Sequence, residues 1–119
     1  MKQMGQLEAA VMHRLWDWDR PASVREVVDD LQRERKIAYT TVMTVADRLA
    51  KKGLTSRERD GRAWRYSASA TREELTAQAL RETLADWGGE GQESDAVLHF
   101  LQDMSAGDVD RIKAAIAKM

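Results

Sequence analysis

The segment from Ala38 to Gly53 has an amphipathic pattern that ends in glycine, and this pattern constrains the fold more than any other part of the sequence. At about 100° per residue, its apolar residues share one face of a helix. These residues are Ala38, Val42, Val45, Ala46 and Leu49. Gly53 stands where a helix that ends in the left-handed conformation places glycine. The segment is therefore predicted to be a helix with one face in a core.

The other face of this helix carries threonines rather than the strong helix formers typical of a solvated face. Each threonine costs roughly a few tenths of a kcal/mol in helix propensity. A threonine can present its methyl group to thymine and its hydroxyl to base edges or phosphates, and nearby cations can contact phosphates or guanine. We therefore interpret the segment as a DNA recognition helix; its candidate contact residues are Tyr39, Thr40, Thr41, Met43, Thr44, Arg48, Lys51 and Lys52. On this helix alone, an ordinary amphipathic helix remains the alternative.

Two helical patterns precede this segment. Residues 7–18 have apolar side chains at helical spacing, and Ser23 with Glu26 forms a capping box that opens a second helix. Residues 19–22 are interpreted as a turn, and the charged residues 32–36 as a solvated turn before the Thr-rich helix. Two helices joined by a polar turn are typical of a helix-turn-helix.

After Gly53 the spacing becomes alternating, which predicts a β-hairpin. The dipeptide Asp60-Gly61 separates two alternating runs, residues 54–59 and 62–67. Pairing across this dipeptide would set Arg59 opposite Arg62, and such like charges are unfavourable unless a phosphate backbone neutralises them.

We therefore interpret the hairpin as a DNA-binding wing. Its candidate contact residues are Arg57, Arg59, Arg62 and Arg65. A solvated basic hairpin is the alternative. Alternation points Trp64 and Tyr66 to one face, and we expect both to pack against the helices.

The net charge of −1 conceals an asymmetry along the chain. Residues 1–70 contain 14 Lys and Arg against 10 Asp and Glu, whereas residues 71–119 contain 5 against 10. Within residues 36–66 the ratio is 8 to 3, so the positive charge is concentrated around the predicted recognition helix and wing. This asymmetry favours a DNA-binding domain over residues 1–70 and a different role for residues 71–119.

Residues 71–119 show three short helical patterns with a connector, Gly88–Glu93, after the first. A capping box opens the first pattern at Thr71, and Ser105 caps the last. Three short helices are too few to bury their apolar stripes alone. We therefore expect a homodimer that uses Leu80, Leu84, Trp87, Leu98, Leu101, Val109, Ile112 and Ile116. A two-fold dimer would place two recognition helices about 34 Å apart on successive major grooves; packing against the chain's own N-terminal domain is the alternative.

The composition argues against catalysis, a metal site and a membrane span. The chain has no cysteine, and its two histidines, His13 and His99, have no metal-ligand spacing. No nucleophile-and-base pattern is present. There is no apolar run of roughly 20 residues and no signal-peptide pattern. We expect a cytoplasmic protein that is not an enzyme, needs no cofactor and does not insert into a membrane.

Residues 7–16, residues 38–53 and the tripeptide Trp64-Arg65-Tyr66 closely resemble the penicillinase repressor family, the BlaI/MecI group of bacterial winged-helix repressors. The resemblance covers essentially the whole chain. It implies a mainly α fold with a small β-hairpin wing, in which a winged helix-turn-helix domain precedes a three-helix dimerisation segment. It also implies binding to palindromic double-stranded DNA operators, with Thr40, Thr41, Thr44 and Arg48 at the positions that read the major groove.

Two branches of this family respond to known kinds of signal. Members that control β-lactam resistance are inactivated when a membrane sensor-protease cuts an Asn-Phe bond in the C-terminal segment. The aligned pair here is His99-Phe100, so the candidate cleavage site departs from the family pattern. A copper-responsive branch uses C-terminal cysteines, which this chain lacks.

The function expected from the sequence is therefore a dimeric repressor that blocks a promoter by occupying a palindromic operator. The resemblance suggests relief by proteolysis of the C-terminal segment. One alternative is a winged-helix regulator that responds directly to a small ligand. The other is a winged-helix module that binds a protein partner.

Overall fold

The protein, described here from a computed structural model, has a helical fold with one small sheet; residues 4–89 and 91–119 are described. The elements in chain order are α1 (Gln6–Trp18), β1 (Ala22–Ser23), α2 (Val24–Leu31), α3 (Tyr39–Lys51), β2 (Thr55–Asp60), β3 (Ala63–Ala68), α4 (Arg72–Trp87), α5 (Glu93–Gln102) and α6 (Ala106–Ala117). This order confirms the predicted mainly α fold with a hairpin wing. Residues 1–3, which the predicted domain included, and Glu90, which the predicted connector included, lie outside the described residues.

The ends of the first three helices follow from local chemistry. Asp19 closes α1 in the left-handed region at φ 50°, and its amide donates to the Leu15 carbonyl over 3.2 Å. The predicted capping box opens α2: Ser23 Oγ accepts from the Glu26 amide at 3.2 Å, and Glu26 Oε1 accepts from the Ser23 amide at 3.3 Å. Gly53 adopts φ 77° after α3, which confirms the predicted glycine stop.

The antiparallel sheet has the strand order β1-β3-β2. Strand β1 was not predicted, because residues 19–22 were interpreted only as a turn. It has two residues, and Ala22 pairs with Tyr66 while Ser23 pairs with Arg65. Such a short strand leaves no alternating pattern, so only its partner strand identifies it.

The predicted register of the hairpin was wrong. Asp60 pairs with Ala63, and Arg59 lies opposite Trp64 rather than opposite Arg62. The two-residue loop is therefore Gly61-Arg62, with Gly61 at φ 65° in the first position, where a type II′ turn prefers glycine. This register removes the expected Arg–Arg pair.

The core lies among α1, α2, α3 and the sheet. Its buried apolar residues are Val11, Met12, Leu15, Ala22, Val24, Val27, Val28, Leu31, Val42, Val45, Ala46, Leu49 and Tyr66. The expectation for Tyr66 is confirmed, but Trp64 is 38% exposed. Only the end of the hairpin near Thr55 and Tyr66 is buried, so the side chains toward the loop extend beyond the core.

The chain divides into two compact units within α4, because the first unit ends at Ala79 and the second comprises Leu80–Met119. In the first unit, Trp16 Nε1 donates to the Ala70 carbonyl at 3.1 Å, and Arg72 pairs with Asp17 at 3.1 Å. None of the described side chains in α4, α5 or α6 is buried. No helix in the described part of the chain is long and apolar enough to span a membrane.

Candidate nucleic-acid interface

Helix α3 divides into a buried face and an exposed face. Val42, Val45, Ala46 and Leu49 are buried in the core. All the residues predicted to contact DNA from this helix and its C-cap are exposed: Tyr39, Thr40, Thr41, Met43, Thr44, Arg48, Lys51 and Lys52. The helix can therefore present these side chains to a groove without disturbing the core, although their contact with DNA stays a prediction.

One threonine on this face already uses its hydroxyl hydrogen within the helix. Thr44 Oγ1 donates to the Thr40 carbonyl over 2.9 Å. The methyl group and the remaining lone pairs of the hydroxyl are what this side chain can offer to a partner. Thymine carries a methyl group in the major groove, so an apolar contact there is compatible with this rotamer.

Lys52 is joined to α1 by an ion pair. Its Nζ lies 2.8 Å from Glu8 Oε2, and Glu8 Oε1 accepts from the Gly5 amide at 3.1 Å. Burial by itself raises the pKa of Glu8, but the Lys52 hydrogen bond, the Gly5 amide and the charges of Lys52 and Arg48 outweigh it and lower that pKa. Glu8 therefore holds the C-terminal end of α3 as a carboxylate.

Arg65 is also engaged inside the first unit. Its guanidinium pairs with Asp60 at 2.7 Å and with Glu26 at 3.1 Å, and these carboxylates raise the Arg65 pKa, the Asp60 hydrogen bond contributing most. Glu26 pairs with Arg20 as well, at 2.7 Å. Burial alone would raise the pKa of Glu26, but the bonds from Arg20 and the Ser23 amide, with the charges of Arg20 and Arg65, lower it. Glu26 thus joins the start of α2 to the wing.

Asp47 connects α3 to the wing. Its carboxylate lies 3.1 Å from Lys51 Nζ and 3.4 Å from Arg57 Nη1. Asp47 and its two cations are all partly exposed, so each pair contributes little energy by itself. The carboxylate nevertheless orients two cations along one continuous surface that extends from α3 to β2.

Three exposed arginines differ from these paired cations. Across residues 4–89 and 91–119, no ion pair joins Arg48, Arg59 or Arg62 to a carboxylate. Phosphates supply the negative charge that an exposed guanidinium lacks, and binding them releases counterions from DNA. Arg59 and Arg62, which lie on the wing, are therefore the strongest phosphate-contact candidates among the predicted residues, whereas Arg48 lies on the exposed face of α3.

Sequence reasoning missed three arginine–aromatic contacts on this surface. The Arg25 guanidinium lies 4.6 Å from the centre of the Tyr39 ring at the start of α3. Those of Arg57 and Arg59 lie 4.7 and 5.2 Å from the centre of the Trp64 ring on the wing. The sequence indicated only a capping role for Glu26 and no role for Arg25. No local pattern linked Asp47 to the wing.

The predicted dimerisation residues are exposed to different extents. Leu80, Trp87, Leu98 and Ile116 are 49%, 80%, 58% and 60% exposed. Leu84, Leu101, Val109 and Ile112 are half-buried. The candidate cleavage pair His99-Phe100 lies inside α5, and both side chains are exposed. In the described part of the chain, no group of three or more potential ligands could hold a metal ion.

Sequence comparisons with known proteins extend over nearly the entire chain. The sequence profile of the penicillinase repressor family matches residues 4–118. Two proteins named transcriptional regulator BlaI, from two strains of Mycobacterium tuberculosis, are each 40% identical to this chain over 119 residues, which is all of this chain and 86% of each relative. A crystal structure of a transcriptional regulator from Thermotoga maritima is similar over 93% of this chain and 80% of that chain, with 19% identity and a TM-score of 0.49.

Proposed function

This chain belongs to the penicillinase repressor family of transcriptional regulators, and from that premise we propose that it represses transcription as a dimer bound to a palindromic operator. The observation that carries this proposal is the exposed face of α3, which lies beside a wing whose Arg59 and Arg62 have no carboxylate partner among the described residues. An operator that overlaps a promoter would then be closed to RNA polymerase.

The different side chains of α3 and of the wing support sequence-specific binding. Threonines and Arg48 occupy the exposed face of the helix, where side chains can reach base edges. The arginines of the wing are suited to the phosphate backbone, which positions a protein without reading the sequence. Both kinds of contact are needed for a repressor that finds one operator among many competing sites.

A second copy of this chain is the proposed partner of the C-terminal helices. Leucine, isoleucine and tryptophan side chains are exposed there, and several large exposed apolar side chains in one unit favour an interaction site. A symmetric dimer presents the same patch from both copies and so covers both patches at once. The same two-fold axis would match a palindromic operator.

Release of the operator is proposed to follow cleavage of the C-terminal segment by a membrane sensor-protease. The pair His99-Phe100 lies within α5, where both side chains are exposed and none of the described residues is buried. A helix with so little buried surface can open locally for a protease. Cutting it would separate the DNA-binding units without altering the recognition helix.

Binding assays at several salt concentrations test the proposal. A genome-wide DNA pull-down with the native protein identifies the operator, and fluorescence anisotropy then compares it with a mutated operator. Replacing Thr44 or Arg48 by Ala is expected to reduce discrimination by about 1–3 kcal/mol. Replacing Arg59 or Arg62 by Ala is expected to weaken all sequences similarly and to flatten the salt slope by about one unit.

Lys118→Ala is the control, since it removes one positive charge from the far end of the chain. We expect it to leave both the discrimination and the salt slope unchanged. If the helix variants and the wing variants behaved alike at every salt concentration, the assignment of specific and phosphate contacts would be wrong. If the native protein did not bind DNA, or if its binding did not weaken as the salt concentration rises, the proposed function itself would be wrong.

A further inference from the structure

The wing carries a large aromatic side chain that the core does not explain. Trp64 is 38% exposed, whereas Tyr66, two residues further along β3, is 5% exposed. An exposed tryptophan is more common at binding surfaces than elsewhere on a protein, so its surroundings are informative.

The surroundings of Trp64 are two arginines of the neighbouring strand. Arg59 lies directly opposite Trp64, and Arg57 lies opposite Tyr66. Alternate residues of a strand point to the same face, so both arginines lie on the face of the tryptophan. Their guanidinium carbons are 5.2 and 4.7 Å from the ring centre, within the range of a cation–π contact.

Each guanidinium is held by a second contact as well. Arg57 Nη1 lies 3.4 Å from Asp47 on the recognition helix, and Arg59 Nε donates to the Gly61 carbonyl at 3.4 Å. The aromatic contact uses the face of a planar guanidinium and leaves N–H groups at its edge for an anion. Two positive charges are thus held against one ring, and only Arg57 has a carboxylate partner among the described residues.

An arginine that moves freely loses rotamer freedom when it binds a phosphate. An arginine already stacked on a ring has lost part of that freedom before it binds, so its contact with a ligand costs less. The ring itself is uncharged and adds no phosphate contact. Its expected effect is therefore on the strength of binding and not on the number of counterions released.

We propose that Trp64 is a positioning residue that holds Arg57 and Arg59 as a preorganised pair for the phosphate backbone of double-stranded DNA. The inference rests on the proposed function and deepens it. The wing would bind not as four independent arginines but as a built unit, in which one aromatic ring and Asp47 fix two cations relative to the recognition helix.

The test measures operator binding of full-length variants by anisotropy at several salt concentrations. Trp64→Leu is expected to weaken binding about tenfold, because it removes two cation–π contacts. It should leave the salt slope unchanged, because every charge remains. Trp64→Phe keeps an aromatic face and should recover most of the affinity. Arg59→Gln should instead flatten the salt slope by about one unit.

A mutant cycle, in which the two arginine substitutions are treated as one change, separates positioning from direct contact with DNA. In the background of Arg57→Gln with Arg59→Gln, Trp64→Leu should have little further effect, since there is no arginine pair left to position. A tenfold loss that persisted in that background would mean that Trp64 contacts DNA itself, and it would overturn the proposal. Trp18→Leu is the matched control, because Trp18 also lies beside an arginine, 5.4 Å from Arg20, outside the predicted contact residues. It should bind as the wild type does.

Thermal melting of each variant checks that the fold is retained, and the amide NMR spectrum of Trp64→Leu checks that the strands still pair. A wild-type protein that binds the operator while Trp64→Leu binds equally well would overturn the positioning role alone. A wild-type protein without salt-dependent DNA binding would overturn the proposed function, and the positioning role with it. Loss of affinity with a flattened slope would also contradict the proposal.

Discussion

The two compact units of this chain are built from similar amphipathic helices but differ in what covers their apolar side chains. The first unit, which ends at Ala79, buries thirteen apolar residues among three helices and a sheet. The second unit, Leu80–Met119, contains the end of α4 with α5 and α6, and none of its described side chains is buried. An amphipathic pattern therefore predicts that one face of a helix will be buried, but it does not predict which other part of the protein, or which partner, will bury it.

The sheet accounts for much of this difference. Strands β2 and β3 bring Thr55 and Tyr66 onto the helices of the first unit, and β1 adds Ala22. The second unit has helices alone in its described residues, and three short helices offer little area to one another. We expect the first unit to be stable by itself. The stability of the second unit should increase with protein concentration, because it would come from association with a second copy.

The largest expected effect comes from placing a charge in the proposed dimer interface. Ile116→Asp would bury an unpaired carboxylate from each copy, at a cost of about 3–5 kcal/mol or with complete dissociation. Light scattering at micromolar concentration should show a monomer, while Ala114→Asp, on the opposite face of α6, should stay dimeric. A dimer that survived Ile116→Asp would place the interface elsewhere.

A pair of leucines compares the two units directly. Leu49 is fully buried in the first unit, so Leu49→Ala should lower the free energy of unfolding by about 2–5 kcal/mol. Leu98 is 58% exposed, so Leu98→Ala removes little buried surface from a dilute, monomeric chain. It should lower the free energy of unfolding by much less than about 1 kcal/mol. Urea denaturation at low and high protein concentration measures both. A large loss of stability for Leu98→Ala in dilute solution would mean that the second unit buries this side chain within a single copy of the chain.

Removing the second unit tests whether the first is independent. A chain that ends at Trp87 should fold, because the described core is complete within it. It should bind a full palindrome at least about 100-fold more weakly, or about 2.7 kcal/mol, since the two half-sites are no longer linked. Its affinity for a single half-site should be nearly unchanged. Equal binding of the palindrome by the short and full chains would exclude release through loss of the dimer.

The smallest expected effect concerns pH and the first unit only. The pKa of Glu8 is lowered in the folded protein, so its ion pair with Lys52 contributes stability above the ordinary value of 4.5 and loses it as the pH falls through the folded pKa. Glu8→Gln should remove about 1 kcal/mol at neutral pH and flatten the acid limb of the stability curve. Glu58→Gln, at an exposed strand position, is the control. An unchanged acid limb in Glu8→Gln would show that the pair adds nothing to stability.

Much of the first unit could be predicted because its signals are local. The apolar period of α3, the Ser23–Glu26 capping box and the glycine stop at Gly53 depend on residues a few positions apart. The dipeptide Asp60-Gly61 predicted the hairpin for the same reason. The predicted register was wrong by one residue, because the loop is Gly61-Arg62 and not Asp60-Gly61. Glycine with a positive φ suits the second position of a type I′ loop as well as the first position of a type II′ loop, so the dipeptide alone does not fix the register.

The sequence by itself therefore determined the helices, the presence of the wing and the exposed face of α3. Only the tertiary structure decided which cations are already engaged. The Lys52–Glu8 pair spans 44 positions, Arg65–Glu26 spans 39, and strand β1 exists only through its pairing with β3. A salt bridge between distant elements leaves no periodic trace, because it depends on where the folded chain brings two side chains together and not on their spacing in the sequence.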